Sequence, residues 1–258
     1  MEQVESQDGT TIAFDRSGEG PPVVLVCGGS VDRTSLAGLA TLLDPDFTVC
    51  NYDRRGRGPS GDTPPYAVQR EVEDIGAVIA AAGGSAFLFG SSSGAALALE
   101  AAASGLPVTK LALWEPPFIL DPAHRPPADQ VAQYDRMLAE GRRGDAAEYF
   151  MVNVVGMPAE FVASARNEPW WGGTEALAHT LPYDATVMGD YSLPTERAAS
   201  VVAPTLVLAG GADFPFMLET APALADAIPN GQLRLLEGQG HNVDMTVLAP
   251  ALKEFFLR

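Results

Sequence analysis

Short apolar runs punctuate the chain at residues 22–27, 47–52, 86–89, 110–114, 205–209 and 233–236. Uninterrupted runs of that length suit strands covered on both faces, as in a mostly parallel sheet. Stretches with helical patterning lie between them at residues 36–43, 67–82, 95–103 and 218–227, and a last one at 243–256 closes the chain. Residues 4–6 and 10–16 flank Gln7-Asp8-Gly9, a turn-forming sequence that predicts an opening β-hairpin. The alternation predicts an α/β fold with a mostly parallel central sheet and helices on both of its faces.

One interval breaks the alternation. From Pro116 to Pro204 no segment reads as a good strand, while helical patches fall at residues 128–140, 145–155 and 158–166 with proline and glycine between them. Residues 117–203 are therefore expected to form a helical cap inserted into a single domain spanning 1–258. The chain leaves the sheet after one strand and returns before another, so the cap should cover the carboxyl ends of the strands, where open α/β sheets bind ligands.

A length of 258 residues, 47% of them hydrophobic and 19% charged, supplies one domain with a core and a solvated surface. Sixteen Lys+Arg against 33 Asp+Glu leave a net charge of −17. That charge repels phosphate backbones and anionic lipid surfaces, so neither nucleic acid nor a membrane is an expected partner. Met1-Glu2-Gln3-Val4-Glu5-Ser6 lacks the basic start and apolar stretch of a secretory signal, and no apolar segment approaches a membrane span. A cytoplasmic protein is expected. Cys27 and Cys50 lie in strand-like runs as small buried residues, with neither a disulfide nor a metal site in prospect. Oligomeric state stays open, a homodimer included.

Candidate chemistry starts at Ala86-Phe87-Leu88-Phe89, which runs into Gly90-Ser91-Ser92-Ser93-Gly94 and then into the helical stretch from Ala95. A strand turning through G-x-S-x-G into a helix is a nucleophile elbow, with Ser92 held at its apex and the glycines allowing close passage of strand and helix. Three adjacent serines leave the register to be weighed. Ser91 at the apex puts Phe89 where a small residue is needed, and Ser93 starts the turn later than the glycines suggest. Ser92 is the expected nucleophile.

A serine hydroxyl needs a base, and the chain has three histidines. His124 lies in a cap loop and His179 on a cap helix, whereas His241 follows the last strand, where a loop delivers it to the active face. Imidazole in turn needs a carboxylate on its far nitrogen. Asp213, just beyond the strand at 205–209, is the first candidate, with capping of the next helix as its structural alternative. Glu115, after the strand ending at Trp114, is the runner-up, and Asp244 lies too near the histidine in sequence. For an oxyanion hole the backbone N–H groups of Gly29, in Cys27-Gly28-Gly29-Ser30, and of Ser93 are the candidates, a plain tight turn being the alternative for the glycines.

With these residues in view, the chain resembles the α/β-hydrolase superfamily over nearly its whole length, in the branch with a helical lid. The elbow, the order Ser92, Asp213, His241, and the glycine loop match the pattern, as does Tyr52-Asp53-Arg54-Arg55-Gly56-Arg57-Gly58-Pro59-Ser60, similar to a structural Asp-x-Arg-Gly-x-Gly-x-Ser turn. Cys27-Gly28 departs from the His-Gly of many relatives, but the donor it precedes is a backbone group. A serine at the apex separates this chain from relatives that use aspartate there. The resemblance implies hydrolysis of an ester, thioester or lactone through an acyl-enzyme, with no metal and no organic cofactor. C–C bond hydrolysis, lyase or perhydrolase chemistry, and slow-turnover ligand binding are the alternatives. Trp170, Trp171, Phe214 and Met217 are candidate substrate contacts, alongside Tyr149-Phe150-Met151, Phe161 and Phe216, and together they suggest an apolar or aromatic small molecule.

Overall fold

The computed structural model describes residues 1–258. An antiparallel hairpin, β1 (Glu2–Glu5) and β2 (Thr11–Ser17), opens the chain and is followed by β3 (Pro22–Val26), α1 (Ala37–Leu43), β4 (Thr48–Tyr52), α2 (Val68–Ala81), β5 (Ala86–Ser91), α3 (Ser93–Ala103) and β6 (Val108–Trp114). Six helices come next: α4 (Gln130–Ala139), α5 (Arg143–Tyr149), α6 (Ala159–Ala165), α7 (Trp171–Leu177), α8 (Leu181–Met188) and α9 (Thr195–Ala199). The sheet resumes with β7 (Thr205–Gly210), α10 (Pro215–Ala227), β8 (Gly231–Leu236) and α11 (Met245–Leu257).

The eight strands lie in the order β1-β2-β4-β3-β5-β6-β7-β8, parallel from β4 to β8. Period-two alternation sorts each inner strand between two cores. Val24 and Val26 point with Leu88, Leu111 and Val207 toward α2, α3 and α10. Val23, Leu25 and Cys27 point with Phe89, Trp114 and Leu208 toward α1 and α11. These side chains are all buried, and each fully buried Val, Leu or Phe contributes about 1.5–3 kcal/mol relative to an exposed one. The layered α/β arrangement expected from the apolar runs is therefore the one observed. Both thiols are free and buried, and no helix is long and apolar enough to cross a membrane.

Between β6 and β7 there are only helices and loops. The patches at 128–140, 145–155 and 158–166 appear as α4, α5 with a wider turn at Phe150–Val154, and α6. Helices α7, α8 and α9 are not legible in the sequence, because Gly172-Gly173 and Pro182 interrupt that stretch and each helix spans eight residues or fewer. Helix α10 begins three residues earlier than expected because Pro215 occupies its first turn, where its missing N–H has no intrahelical acceptor. Asp244 caps α11 by accepting from Thr246 N at 2.8 Å.

The strand-to-helix turn from β5 to α3 is packed at backbone distance. A Cβ added to Gly94 would run into the carbonyl of Cys27 and stand 2.6 Å from that of Val26, neither of which can move without shifting β3. Gly94→Ala is accordingly expected to destabilise the protein by about 3 kcal/mol, at the upper end of overpacking penalties. A urea midpoint equal to that of the parent would show that the turn has room.

Candidate active site

Ser92 links β5 to α3 and sits at φ 56°, ψ −127°. L-residues rarely adopt positive φ, and a fixed outlier of this kind needs its surroundings to hold it. Here Ser92 N donates to Trp114 O at 2.8 Å, continuing the ladder to β6, while Ser92 O accepts from Ala95 N at 2.8 Å and Ala96 N at 3.2 Å. The side chain is left facing a cavity at the carboxyl ends of the strands. Four non-glycine residues have positive φ: Ser30, Ser92, Glu115 and Tyr191. All four belong to this region, since Ser92 and Tyr191 line the cavity, Ser30 follows lining residue Gly29, and Glu115 bonds to lining residue His241.

His241 comes from the loop between β8 and α11. Its backbone carbonyl accepts from Trp114 Nε1 at 3.0 Å, which fixes the loop against β6. Its Nδ1 lies 2.8 Å from Glu115 Oε2, and Glu115 Oε1 accepts from Gly210 N at 2.7 Å. Asp213, the first candidate from the sequence, stands farther off, with Oδ2 4.0 Å from the same Nδ1. Four ångströms exceeds hydrogen-bond range, so the imidazole's carboxylate partner in this geometry is Glu115. The reason is reach. Glu115 lies at the end of β6 beside β7, and its longer side chain reaches Nδ1, whereas Asp213 Oδ1 turns back to accept from Phe214 N at 2.6 Å. Asp213 Oδ2 is buried without a hydrogen-bond partner.

Burial pushes the Glu115 carboxyl up from its ordinary value; the His241 contact pulls it down, Asp213 raises it again, the Gly210 N–H lowers it, and the net direction is upward. The other two histidines are elsewhere. His124 is exposed in the segment between β6 and β7, and His179 Nδ1 sits 3.1 Å from the Ala176 carbonyl. Glu115, Asp213 and His241 offer atoms within 4.8 Å of one another, the donor types of a divalent-cation site, but Nδ1 of His241 is already directed at Glu115. No hydrogen bond joins Ser92 to His241 in this resting arrangement, although both line the cavity.

Gly28 and Gly29 meet the elbow directly. A Cβ on Gly28 would stand 3.2 Å from Ser92 Cβ, and one on Gly29 would stand 3.3 Å from Ser93 Oγ. The candidate donors at Gly29 and Ser93 thus flank the nucleophile, with Ser93 in the first turn of α3, where N–H groups have no intrahelical acceptor.

The cavity measures about 360 Å³. Its walls are mainly apolar, with Ile119, Phe150, Val154 and Met188 from the β6–β7 segment facing Leu36 and Met245. Phe214, Phe216 and Met217 line it. Trp170 and Trp171 do not. Trp171 is buried against Ala147, Val162 and Ala165, with its indole N–H donating to Glu175 at 2.7 Å, and Trp170 is half exposed beside it. Trp171 thus closes a small core among the inserted helices instead of facing the cavity. Trp170→Ala is expected to leave kcat/KM within about twofold of the parent, as for surface substitutions away from special features. A large rise in KM would place it on the substrate's path. Phe161 is likewise exposed.

Asp184, Met188 and Tyr191 also line the cavity and were missed from sequence. The spacing of Leu181, Ala185 and Met188 at i, i+4 and i+7 was the available signal for α8.

Comparison with known proteins extends these observations. An alpha/beta hydrolase from Sphaerobacter thermophilus DSM 20745 superposes with a TM-score of 0.93 at 57% identity, over 99% of this chain and 100% of that one. A thermophilic esterase from Thermogutta terrifontis shares the fold at 23% identity and a TM-score of 0.75, over 99% of this chain and 97% of that one. The uncharacterized hydrolase YraK of Bacillus subtilis (strain 168) is 28% identical over 141 residues, 53% of this chain and 52% of that protein, so the match spans about half its length. The profile of the alpha/beta hydrolase family matches residues 23–252. An elbow serine, a loop-borne histidine on a buried carboxylate and an eight-stranded sheet thus meet in a chain that belongs to the alpha/beta hydrolase family.

Proposed function

We propose that the chain is a serine hydrolase that cleaves uncharged carboxylic esters, thioesters or lactones bearing an apolar or aromatic group, through an acyl-enzyme. The observation that carries this reading is the shared cavity of Ser92, held at positive φ, and His241, held through Nδ1 by buried Glu115. Glu115 on Nδ1 keeps the proton there and leaves Nε2 free to accept. As Ser92 Oγ bonds to the carbonyl carbon, its proton passes to Nε2, and the Gly29 and Ser93 N–H groups receive the developing oxyanion. The imidazolium then protonates the leaving alcohol, thiol or ring oxygen as its bond to carbon breaks. Water, deprotonated by Nε2, attacks the acyl carbon, and the imidazolium returns that proton to Ser92 Oγ as the acyl bond breaks and the acid leaves. Water is the only co-reactant these steps draw on.

C–C bond hydrolysis would use the same residues. The cavity lining favours the ester reading, because it contains no lysine or arginine to meet the carboxylate of an anionic substrate. The inserted segment between β6 and β7, which carries Phe150, Met188 and Tyr191, acts as the lid. The test is a panel of neutral and anionic p-nitrophenyl esters, lactones and a β-diketone, together with intact-mass analysis after a fluorophosphonate probe. Turnover of neutral apolar esters with a single adduct on Ser92 is expected. Turnover confined to the diketone would replace the ester reading with C–C hydrolysis, and absence of both turnover and adduct would leave a binding protein.

A further inference from the structure

Asp184 is the one acidic residue lining the cavity, and it arrives there on the lid helix α8. Its carboxylate is buried and completely engaged. Oδ1 accepts from Arg54 Nη1 at 2.7 Å, Arg57 Nη2 at 2.8 Å and Ser93 Oγ at 2.8 Å. Oδ2 accepts from Arg57 Nη2 at 2.9 Å and from the backbone N–H of Ser30 at 3.3 Å. Burial works against its charge, but Arg57 and Arg54 outweigh that and hold the carboxyl down at about 2. Arg54 is also clamped by Glu71, with Nε 2.7 Å from Oε2 and Nη2 2.6 Å from Oε1. Two buried guanidinium groups therefore face two buried carboxylates, the pairing that buried charges require.

What this cluster touches matters more than its own balance. Ser30 adjoins Gly29 and has positive φ, and Ser93 follows Ser92. Arg57 Nη1 donates to the carbonyls of Gly28 and Val31, on either side of Gly29, the latter at 3.0 Å. One carboxylate from the lid thus grips the residue after one oxyanion donor and the side chain of the other, while its arginine partner braces the same loop from beneath. We infer that Asp184 is a positioning residue which sets the spacing of the Gly29 and Ser93 N–H groups, so that the oxyanion hole is complete only when α8 of the lid is seated.

The inference rests on the serine-hydrolase reading. It differs from a purely architectural role in what it predicts, because misplaced oxyanion donors weaken the transition state more than the bound substrate. Asp184→Asn is expected to lower kcat about a hundredfold, the scale of losing one oxyanion donor, with KM within about threefold. Affinity for an alkyl boronic acid, which makes a tetrahedral adduct on the nucleophile, should fall by the same factor as kcat/KM. The amide in Asp184→Asn leaves the two arginines short of charge and can compromise folding, so Ser93→Ala serves as the second variant. It keeps the Ser93 N–H and removes only the hydroxyl that Asp184 holds, with an expected loss of about 3- to 10-fold in kcat and in boronate affinity. The measurements are kcat, KM and boronate affinity on protein shown by circular dichroism to be folded. Parent-like kcat and boronate affinity in folded Asp184→Asn or Ser93→Ala, beside an active parent that labels at Ser92, overturns the inference alone. A parent that neither turns over ester nor labels removes the hydrolase reading and the inference together.

Discussion

Ser92→Ala is expected to lower kcat toward a short p-nitrophenyl ester by about 10⁶-fold, with the fold and melting behaviour retained. The size follows from the way a nucleophile and its base act as a unit, so that losing the hydroxyl removes covalent catalysis and leaves His241 without a proton to accept. Neighbouring hydroxyls offer no substitute. Ser91 belongs to β5, in register with Trp114, and Ser93 donates its hydroxyl to Asp184 at 2.8 Å. Only Ser92 occupies the strained apex at φ 56°. Alanine there loses nothing but an oxygen that faces the cavity, so a melting temperature near that of the parent should accompany the loss. A fluorophosphonate adduct that persists in the Ser92→Ala protein would move the nucleophile to a neighbour and shift the elbow by one residue.

The parts of this site visible in the sequence are those written in local patterns. The elbow is a contiguous G-x-S-x-G between a strand and a helix, and His241 is reachable because a loop after the last strand must lie at the carboxyl edge of a parallel sheet. The carboxylate was less legible. Chain order admits both Asp213, after β7, and Glu115, after β6, and the choice depends on which side chain spans the distance to Nδ1, a matter of one methylene and one strand position that spacing does not encode. Positive φ at Glu115 is equally invisible beforehand. Trp170-Trp171 misled for a related reason, since the short helices between β6 and β7 carry too few turns for periodicity to say which face is buried. Asp184 was the hardest to see. Its partners Arg57 and Arg54 lie 127 and 130 residues away in sequence, and a lone aspartate in a half-apolar helix gives no local sign that it will be buried against them.

Glu115→Gln is expected to lower kcat about 10⁴-fold with KM nearly unchanged, whereas Asp213→Asn should stay within about tenfold of the parent. The difference rests on the 2.8 Å contact of His241 Nδ1 with Glu115 against 4.0 Å with Asp213. Glutamine can still accept from Nδ1 through its carbonyl, but it brings no charge to stabilise the imidazolium. Its amide also donates, which favours the tautomer with the proton on the wrong nitrogen; the combined penalty amounts to about 5 kcal/mol at the transition state. Asp213 acts through space instead. Burial raises the Glu115 carboxyl, the His241 contact lowers it, and Asp213 raises it again. Asparagine at 213 removes that last contribution, so Glu115 becomes ionised at lower pH. The site then loses one negative charge and gives up its proton more readily, which moves the acid limb of the kcat/KM profile to lower pH. The same substitution leaves the buried Oδ2 position without a charge to desolvate, so the melting temperature should rise. A pH profile measured on both variants decides between the two carboxylates. Near-complete loss of activity in Asp213→Asn with Glu115→Gln still active would return the role to Asp213, and would mean that the loop after β7 moves by about an ångström toward His241 when substrate binds.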